Sequence, residues 1–314
     1  MNPLFNNEKH YLTINNYLKN KYHQKVYKIS LNGNFTCPNR DGKISYTGCL
    51  FCSKQGSGDF AGKKEDSIKD QFYQIKAMNE EKWGKGLYIA YFQANTNTYG
   101  TVEELKMRYE QIIKDDFILD KDIIALDIAT RPDCLDDDIL AYLKDLNKKI
   151  PLWVELGFQT SNENTAKKLN RGYNNDVLVK AVYDLKNIGA NVIIHIINGL
   201  PGETSDDMLN TVKFLNNLPI DGIKIHMLHV ISDSPLGKMY LKEPFPLLSL
   251  DEYVKITVSE LEYLNENIVI HRITGDADKE NLIEPKWTLK KFVVMNEIDK
   301  YMRKNNIYQG DKVC

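Results

Sequence analysis

An α/β fold, in which six parallel strands and their crossover helices form an open (β/α)6 arc or partial barrel followed by a small α+β C-terminal extension, is what this 314-residue sequence predicts. Three observations carry that expectation. Short apolar stretches of strand length alternate six times with segments whose apolar residues recur at helical spacing. The strands are nearly continuously apolar, as in a parallel sheet covered by helices, and right-handed crossovers close such a sheet toward a barrel. Most of the unusual polar turns fall at strand C-terminal ends, where the active sites of parallel α/β proteins collect.

The elements follow in order. A short amphipathic helix opens the chain, with Tyr11, Ile14 and Leu18 on one face, and Val26 to Leu31 reads as the first strand. A helix bearing Ile68, Phe72 and Ile75 precedes the strand Leu87 to Phe92, which ends in the polar turn Gln93-Ala94-Asn95-Thr96-Asn97-Thr98-Tyr99. A helix from Val102 to Ile113, the strand Asp122 to Ile128 and the turn Thr130-Arg131-Pro132-Asp133 come next. The series continues with a helix at Asp136 to Lys148, the strand Leu152 to Phe158, helical segments from Glu163 to Gly189, and the strand Asn191 to Ile197. A helix from Thr204 to Leu218 and the strand Gly222 to Ile231 complete it. Beyond Ser234, Pro235, Pro244 and Pro246 punctuate the chain, and helical patterns at Ser249 to Leu264 and Leu289 to Arg303 flank a strand-like Ile268 to Ile273. The expected division is an N-terminal helical segment 1–24, a core 25–232 and an extension 233–314 that supplies substrate contacts.

Composition is that of an ordinary soluble protein: 42% hydrophobic, 27% charged, with no apolar run long enough to span a bilayer. A formal net charge of −2 advertises no polyanionic partner for the chain as a whole. Local basic clusters do occur: Lys286, Lys290, Lys291, Lys300, Arg303 and Lys304 near the end, and Lys19, Lys21, Lys25 and Lys28 near the start. They are either a solvated lysine surface or a nucleic-acid footprint.

Just past the first strand lie Cys37-Pro38-Asn39-Arg40-Asp41-Gly42 and Gly48-Cys49-Leu50-Phe51-Cys52. Three thiolates in one loop suit an iron-sulfur cluster with one unligated iron, because a purely electron-carrying cubane normally takes four cysteines. Cys134 and Cys314 are far away in sequence, and nothing near either suggests recruitment. A structural zinc wants close-spaced ligand pairs, but Cys37 has no close partner and His10 and His23 are poorly spaced. A Cys-x-x-Cys redox motif would leave Cys37 unexplained. Five cysteines and no secretory signal pattern disfavour disulfides and fit a cytoplasmic protein.

These residues resemble the radical S-adenosylmethionine (SAM) superfamily, and more closely its YhcC/YtqA-like (MnmL-like) family. The resemblance rests on the cysteine loop and on Tyr91-Phe92-Gln93-Ala94, Thr130-Arg131-Pro132-Asp133-Cys134, Glu155-Leu156-Gly157-Phe158-Gln159-Thr160, Asn170-Arg171-Gly172, Gly199-Leu200-Pro201-Gly202-Glu203, Gly222-Ile223-Lys224-Ile225-His226, His271-Arg272-Ile273-Thr274-Gly275-Asp276 and Tyr308-Gln309-Gly310. It covers nearly the whole chain. The catalytic subunit of Elongator is more distantly similar through its Thr-Arg-Pro-Asp and Glu-Leu-Gly-x-Gln turns, although this chain lacks that protein's acetyltransferase domain. Eleven residues separate the first two cysteines, where most of the superfamily has three.

The resemblance implies a [4Fe-4S] cluster on Cys37, Cys49 and Cys52, SAM on the open iron, and an electron donor such as flavodoxin or ferredoxin. It places Asn95 and Thr96 at the methionyl amino group, Gln159 near ribose and methionine, Arg171 at the carboxylate, and Gly199 and Gly202 against adenine. His195 is a further cofactor-side candidate, matched by a similarly placed histidine in Elongator. Plainer readings stand beside these: Asn95 and Thr96 as a turn satisfying its own backbone, Arg171 as a helix-end residue, His195 as a bonded core residue. Glu155 shares a strand face with Gln159, either lining the same cavity more deeply or buried as a paired carboxylate. His226 and His229, three apart on a regular strand, face opposite sides, so at most one reaches the cavity. Arg272, Asp276, Lys286 and Trp287 are candidate substrate contacts, with salt bridging or core anchoring as alternatives.

The resemblance further implies a tRNA partner, with a carboxymethylaminomethyl group on the wobble uridine converted to aminomethyl. A base of a folded RNA is extruded into the enzyme, and a basic rim is expected to receive it. Two alternatives remain: a radical SAM enzyme for a small molecule, and a non-catalytic iron-sulfur binding or electron-transfer protein.

Overall fold

Seven apolar strands align in one parallel sheet in the computed structural model, which describes every residue except 1, 4, 7, 57, 59, 115, 116 and 314. Cys314, weighed above as a spare thiol, lies outside the described residues. The strands are β1 (Val26–Leu31), β2 (Leu87–Phe92), β3 (Ile123–Thr130), β4 (Leu152–Gln159), β5 (Asn191–Asn198), β6 (Gly222–Met227) and β7 (Val269–Arg272). They pair strictly in chain order. The curved half-barrel therefore has one strand more than the sequence reading allots to it. The segment around Ile268 to Ile273, expected inside the extension, is carried beside β6 by a further crossover helix and pairs with it in parallel.

Helices α1 (Ile14–Tyr22), α2 (Ile68–Trp83), α3 (Val102–Tyr109), α4 (Asp137–Lys149), α5 (Glu163–Lys168), α6 (Asn175–Asn187), α7 (Ser205–Asn216), α8 (Pro235–Lys242), α9 (Leu250–Tyr263) and α10 (Lys291–Asn305) complete the fold. Capping boxes start α3 (Thr101 with Glu104), α7 (Thr204 with Asp207) and α9 (Ser249 with Glu252). The outward face of the sheet meets the helices in one core, in which Phe92, Ile128, Leu156, Ile194 and Ile225 pack with Phe72, Leu143, Val182, Val212 and Leu261.

α1 plugs the lower end of the arc. Its Leu18 packs on the inward-facing Ile89, Ala125, Trp153 and Ile193, and burial of apolar side chains of this size stabilises by roughly 1.5–3 kcal/mol each. The plug is tied to the far edge of the sheet, where the Ile270 amide donates to the Leu12 carbonyl at 2.8 Å.

Three local expectations change. The third helix stops at Tyr109, and Ile113–Lys114 turns back on Phe117–Ile118 as an antiparallel hairpin. The strand expected from Gly222 to Ile231 breaks after Met227, and Val230–Ile231 pairs antiparallel with Leu282–Glu284. Pro235 starts a helix rather than interrupting one: it sits in the first turn, where its missing N–H costs nothing, and Ser234 caps the end by accepting from the Gly237 amide. Among the described residues, no helix is long and apolar enough to cross a membrane.

Candidate active site

The upper end of the half-barrel holds a cavity of about 570 Å³. Cys37, Cys49 and Cys52 line it together with Asn95, Thr96 and Gln159. The long interval between the first two cysteines has a physical account. Residues 38–48 fold into a compact turn closed by Gly48 N donating to Asn39 O at 2.6 Å and Ile44 N donating to Pro38 O at 2.8 Å. Gly42 and Gly48 supply the positive φ this path needs, 97° and 74°. Cys37 and Cys49 thus both reach the cavity although eleven residues lie between them.

The turn is lashed to the loop after α5. Asn170 Nδ2 donates to Gly48 O at 2.8 Å and to the Ser45 and Thr47 hydroxyls. Asn39, fully buried, donates to Asn170 O at 2.5 Å and toward Cys49 Sγ at 3.3 Å. The Asn170-Arg171-Gly172 motif therefore serves the cysteine loop through its asparagine. Groups that orient metal-ligating side chains typically matter 10–100-fold in metal affinity. Asn39→Ala is accordingly expected to lower iron and sulfide content after reconstitution by roughly that factor at limiting iron while far-ultraviolet circular dichroism stays unchanged. Arg131 contributes charge on the same side: Nε and Nη2 are held by Asp133 at 2.8 and 2.7 Å, and Nη1 points at Cys49 Sγ at 4.0 Å. Burial pushes the Cys52 thiol up to about 12, with the neighbouring Cys49 adding to it, and burial also raises Cys49 against the pull of Arg131 and Asn39. Among the described residues, no three His, Cys, Asp or Glu side chains converge on a single-ion point.

Beneath the cysteine loop the inward faces of six strands change from apolar to charged. One residue pair above Ile89, Ala125, Trp153 and Ile193 stand Tyr91, Asp127, Glu155 and His195, with Lys28 and Lys224 completing the layer. Glu155 is its centre. Oε1 accepts from Lys28 at 2.7 Å; Oε2 accepts from Lys224 at 2.5 Å and Tyr91 at 2.6 Å, and lies 2.8 Å from His195 Nε2. Lys28 also bonds Asp127. Burial alone would raise the Glu155 carboxyl, but Lys224, Lys28 and His195 hold it well below the usual carboxylate range. Burial and the Glu155 charge push Asp127 up to about 7.

The other expected residues divide. His195 lines the cavity as anticipated from its strand. Arg171, Gly199 and Gly202 do not line it. Arg171 is fully buried, and its guanidinium is consumed by the carbonyls of Tyr173, Phe158 and Thr160 and by Glu163 and Asn175. It is a strut for the loop that holds Asn170, with no donor left for a cofactor carboxylate. Gly199, at φ 84°, packs against Leu248, and Leu200 is buried beside Leu228 and Leu236. That turn therefore lies behind the wall, not on it.

His226 and His229 both line the cavity, against the expectation of at most one, because the strand ends at Met227 and its two-residue alternation ends with it. Lys28, grouped by the sequence with lysines of a solvated surface or a nucleic-acid footprint, instead points inward. Trp287 is no rim residue: its indole donates to Leu248 O at 2.9 Å and its ring packs on Tyr253. Lys286 is tied to the Leu282 carbonyl at 2.5 Å, and Asp276 pairs with Lys291 at 2.6 Å and Arg272 at 3.4 Å. Of this group, Arg272 lines the cavity.

Lys28, Tyr91, Asp127, Lys224 and Arg131 were not singled out as site residues from the sequence. A signal was present: Lys28, Asp127, Glu155 and Lys224 each interrupt a parallel strand, and strands of that kind are buried on both faces. Charges there need one another.

Comparison with known proteins agrees with this geometry. The model for the radical SAM superfamily matches residues 37–215, and that for the Radical_SAM C-terminal domain matches residues 220–304. YtqA of Bacillus subtilis is 44% identical over 98% of this chain and 94% of its own length, and YhcC of Escherichia coli is 31% identical over 92% and 91%. A more distant relative, the tRNA uridine(34) acetyltransferase of Methanocaldococcus infernus, is 25% identical over 59% of this chain, which spans about a third (34%) of that protein. The structure of archaeal Elp3 from the same organism shares the fold, with a TM-score of 0.64 at 17% identity, over 90% of this chain and 64% of that one. The half-barrel, the cavity-facing cysteine loop and the match over nearly the whole chain place this protein in the radical SAM superfamily, whose members work with a [4Fe-4S] cluster and SAM.

Proposed function

We propose that this chain is a cytoplasmic radical SAM enzyme that converts the carboxymethylaminomethyl group of a tRNA wobble uridine to aminomethyl. The observation that carries the reading is that Lys28, Lys224 and Arg272 line the same cavity as the three cysteines, three cations against the two carboxylates Glu155 and Asp127, with His195, His226 and His229 in the same lining. A side chain ending in a carboxylate would find opposite charge chiefly at Arg272, since Glu155 and Asp127 already face the two lysines. The name of the distant relative, which acts on uridine 34, supports the same substrate class.

Cys37, Cys49 and Cys52 would hold the cluster, leaving one iron for SAM, and the pair supplies hydrogen-atom abstraction when bound. Asn95 and Thr96, at the end of β2, offer amide and hydroxyl groups for the cofactor's amino acid portion. Asn95 is itself fixed by donating to Phe35 O at 3.1 Å and holds φ at 58°. Gln159, the last residue of β4 at φ 70°, borders the same space as His195. Arg131, rather than the fully bonded Arg171, would offer a guanidinium on the cysteine side, with Nη1 directed at Cys49 Sγ. The substrate hydrogen to be removed lies between amine and carboxylate, where the nitrogen lone pair stabilises the radical. Residues 233–314 would contribute to the substrate side through Arg272, and an electron donor such as flavodoxin or ferredoxin would supply the reducing equivalent.

The test is mass spectrometry of wobble nucleosides in tRNA from cells with and without the gene. Carboxymethylaminomethyluridine should accumulate at the expense of the aminomethyl form and its products when the gene is absent. Unchanged nucleosides would sink the RNA reading and leave a small-molecule substrate.

A further inference from the structure

Lys224 has no task in the reading above beyond adding charge, and its surroundings suit a more specific one. Its side chain is 8% exposed and lines the cavity. Nζ lies 2.5 Å from Glu155 Oε2 and 3.2 Å from Tyr91 Oη. Glu155 takes Lys28 on one oxygen and Tyr91 and His195, besides Lys224, on the other, so the carboxylate keeps partners when the amine reacts. A buried amine beside a second lysine, a carboxylate and a phenol is the setting in which lysine acts as a nucleophile toward carbonyl carbon.

We propose that Lys224 is a carbonyl-capturing amine, condensing with a small 2-oxo acid or aldehyde-acid in this cavity to form an imine and one water. The neutral Nζ adds to the carbonyl carbon, forming the C–N bond, and the carbonyl oxygen takes a proton. Loss of that oxygen as water leaves the protonated imine, with Glu155 as counter-ion and Tyr91 passing the protons. No electron is gained or lost. The ligand carboxylate meets Lys28, Arg272 and His226, whose Nε2 has no partner among the described residues.

The groups facing Lys224 are Lys28 on β1, Tyr91 on β2, Asp127 on β3, Glu155 on β4, His195 on β5, His226 on β6 itself, and His271 with Arg272 on β7. Burial, the largest influence, draws the amine down to about 8; Lys28 and Arg272 act in the same sense, against Glu155 and Asp127. The neutral amine is therefore abundant above about pH 8, well before exposed lysines deprotonate.

The experiment exposes the full chain to glyoxylate and cyanoborohydride across pH and maps reduced adducts by peptide mass spectrometry, a readout that needs neither cluster nor SAM. Lys224 should label first, saturably, with a midpoint near pH 8, and more slowly with acetaldehyde, which lacks the carboxylate. Tyr91→Phe should slow labelling by roughly 10²-fold, and Lys28→Met should move the midpoint upward. Labelling of Lys224 no faster than that of exposed lysines in the unaltered protein overturns the proposal, so the result does not depend on any variant folding. The inference is independent of the RNA reading, because the trapping measures neither tRNA nor SAM cleavage.

Discussion

Replacing Glu155 with leucine is expected to lower the unfolding free energy by about 3–5 kcal/mol, a large share of the ~5–15 kcal/mol that holds a typical domain folded. Four groups converge on this carboxylate, and its side chain is inaccessible to solvent. Removing it leaves Lys224 with only the Tyr91 hydroxyl and Lys28 with only Asp127, two cations inside the arc with half their compensation gone. Glu155→Gln should cost less, since the amide keeps a hydrogen-bonding oxygen. Pairing Glu155→Leu with Lys224→Met should recover part of the loss, because the stranded charge goes too. The pH dependence has a definite sign. The folded pKa of Glu155 lies well below its unfolded value, so its contribution is present above the unfolded value of about 4.3 and fades as pH falls through the folded one. Urea denaturation should therefore show the full gap between wild type and Glu155→Leu at neutral pH and a closing gap below about pH 4. A constant gap across that range would contradict the ionised, paired carboxylate.

The Glu155 layer also marks where the sequence ceased to be legible. Six strands and their helices could be read because apolar periodicity is local: Leu87 to Phe92 is a strand wherever it is packed. β7 could not be assigned to the sheet in the same way. Val269–Arg272 is only four residues long, and its partner is fixed by the crossover through α9, not by its own residues. Lys28 was hidden by its neighbours in sequence, since Lys19, Lys21 and Lys25 are exposed and Lys28 alternates inward between buried Ile29 and half-buried Tyr27. That Asn95, Thr96 and Gln159 line the cavity was legible because each stands where an apolar strand gives way to a polar turn. Arg171 is buried outside the cavity and Arg131 lines it for a reason no motif records: which guanidinium has donors to spare depends on which carbonyls the loop presents. The 158–175 loop presents three to Arg171, while Arg131 is held by one carboxylate and keeps Nη1 free toward Cys49.

Changing Cys37, Cys49 or Cys52 singly to alanine is expected to abolish SAM cleavage outright, whereas Cys134→Ala should leave it near wild type. The first three line the cavity on one folded loop; Cys134 is buried behind Asp133, and its backbone carbonyl accepts from Thr98 at 2.6 Å. On the proposed three-thiolate site, with one iron reserved for the cofactor, the loop would have no spare ligand, so loss of any one would remove a third of the protein's hold on the cluster. Iron and sulfide content, and the absorbance of reconstituted protein near the thiolate-to-iron charge-transfer region, should fall with activity in all three variants. Stability should not fall with them. The loop's fold rests on Asn39, Asn170 and the backbone bonds of residues 38–48, none of which uses a thiol as its only partner. A cysteine variant that kept its cluster would require a fourth thiol, and Cys134 is the candidate among the described cysteines outside the loop, since the charge of Cys37 bears on its thiol. The double change with Cys134→Ala decides that case: if cluster and cleavage persist even then, the three-cysteine assignment itself is wrong.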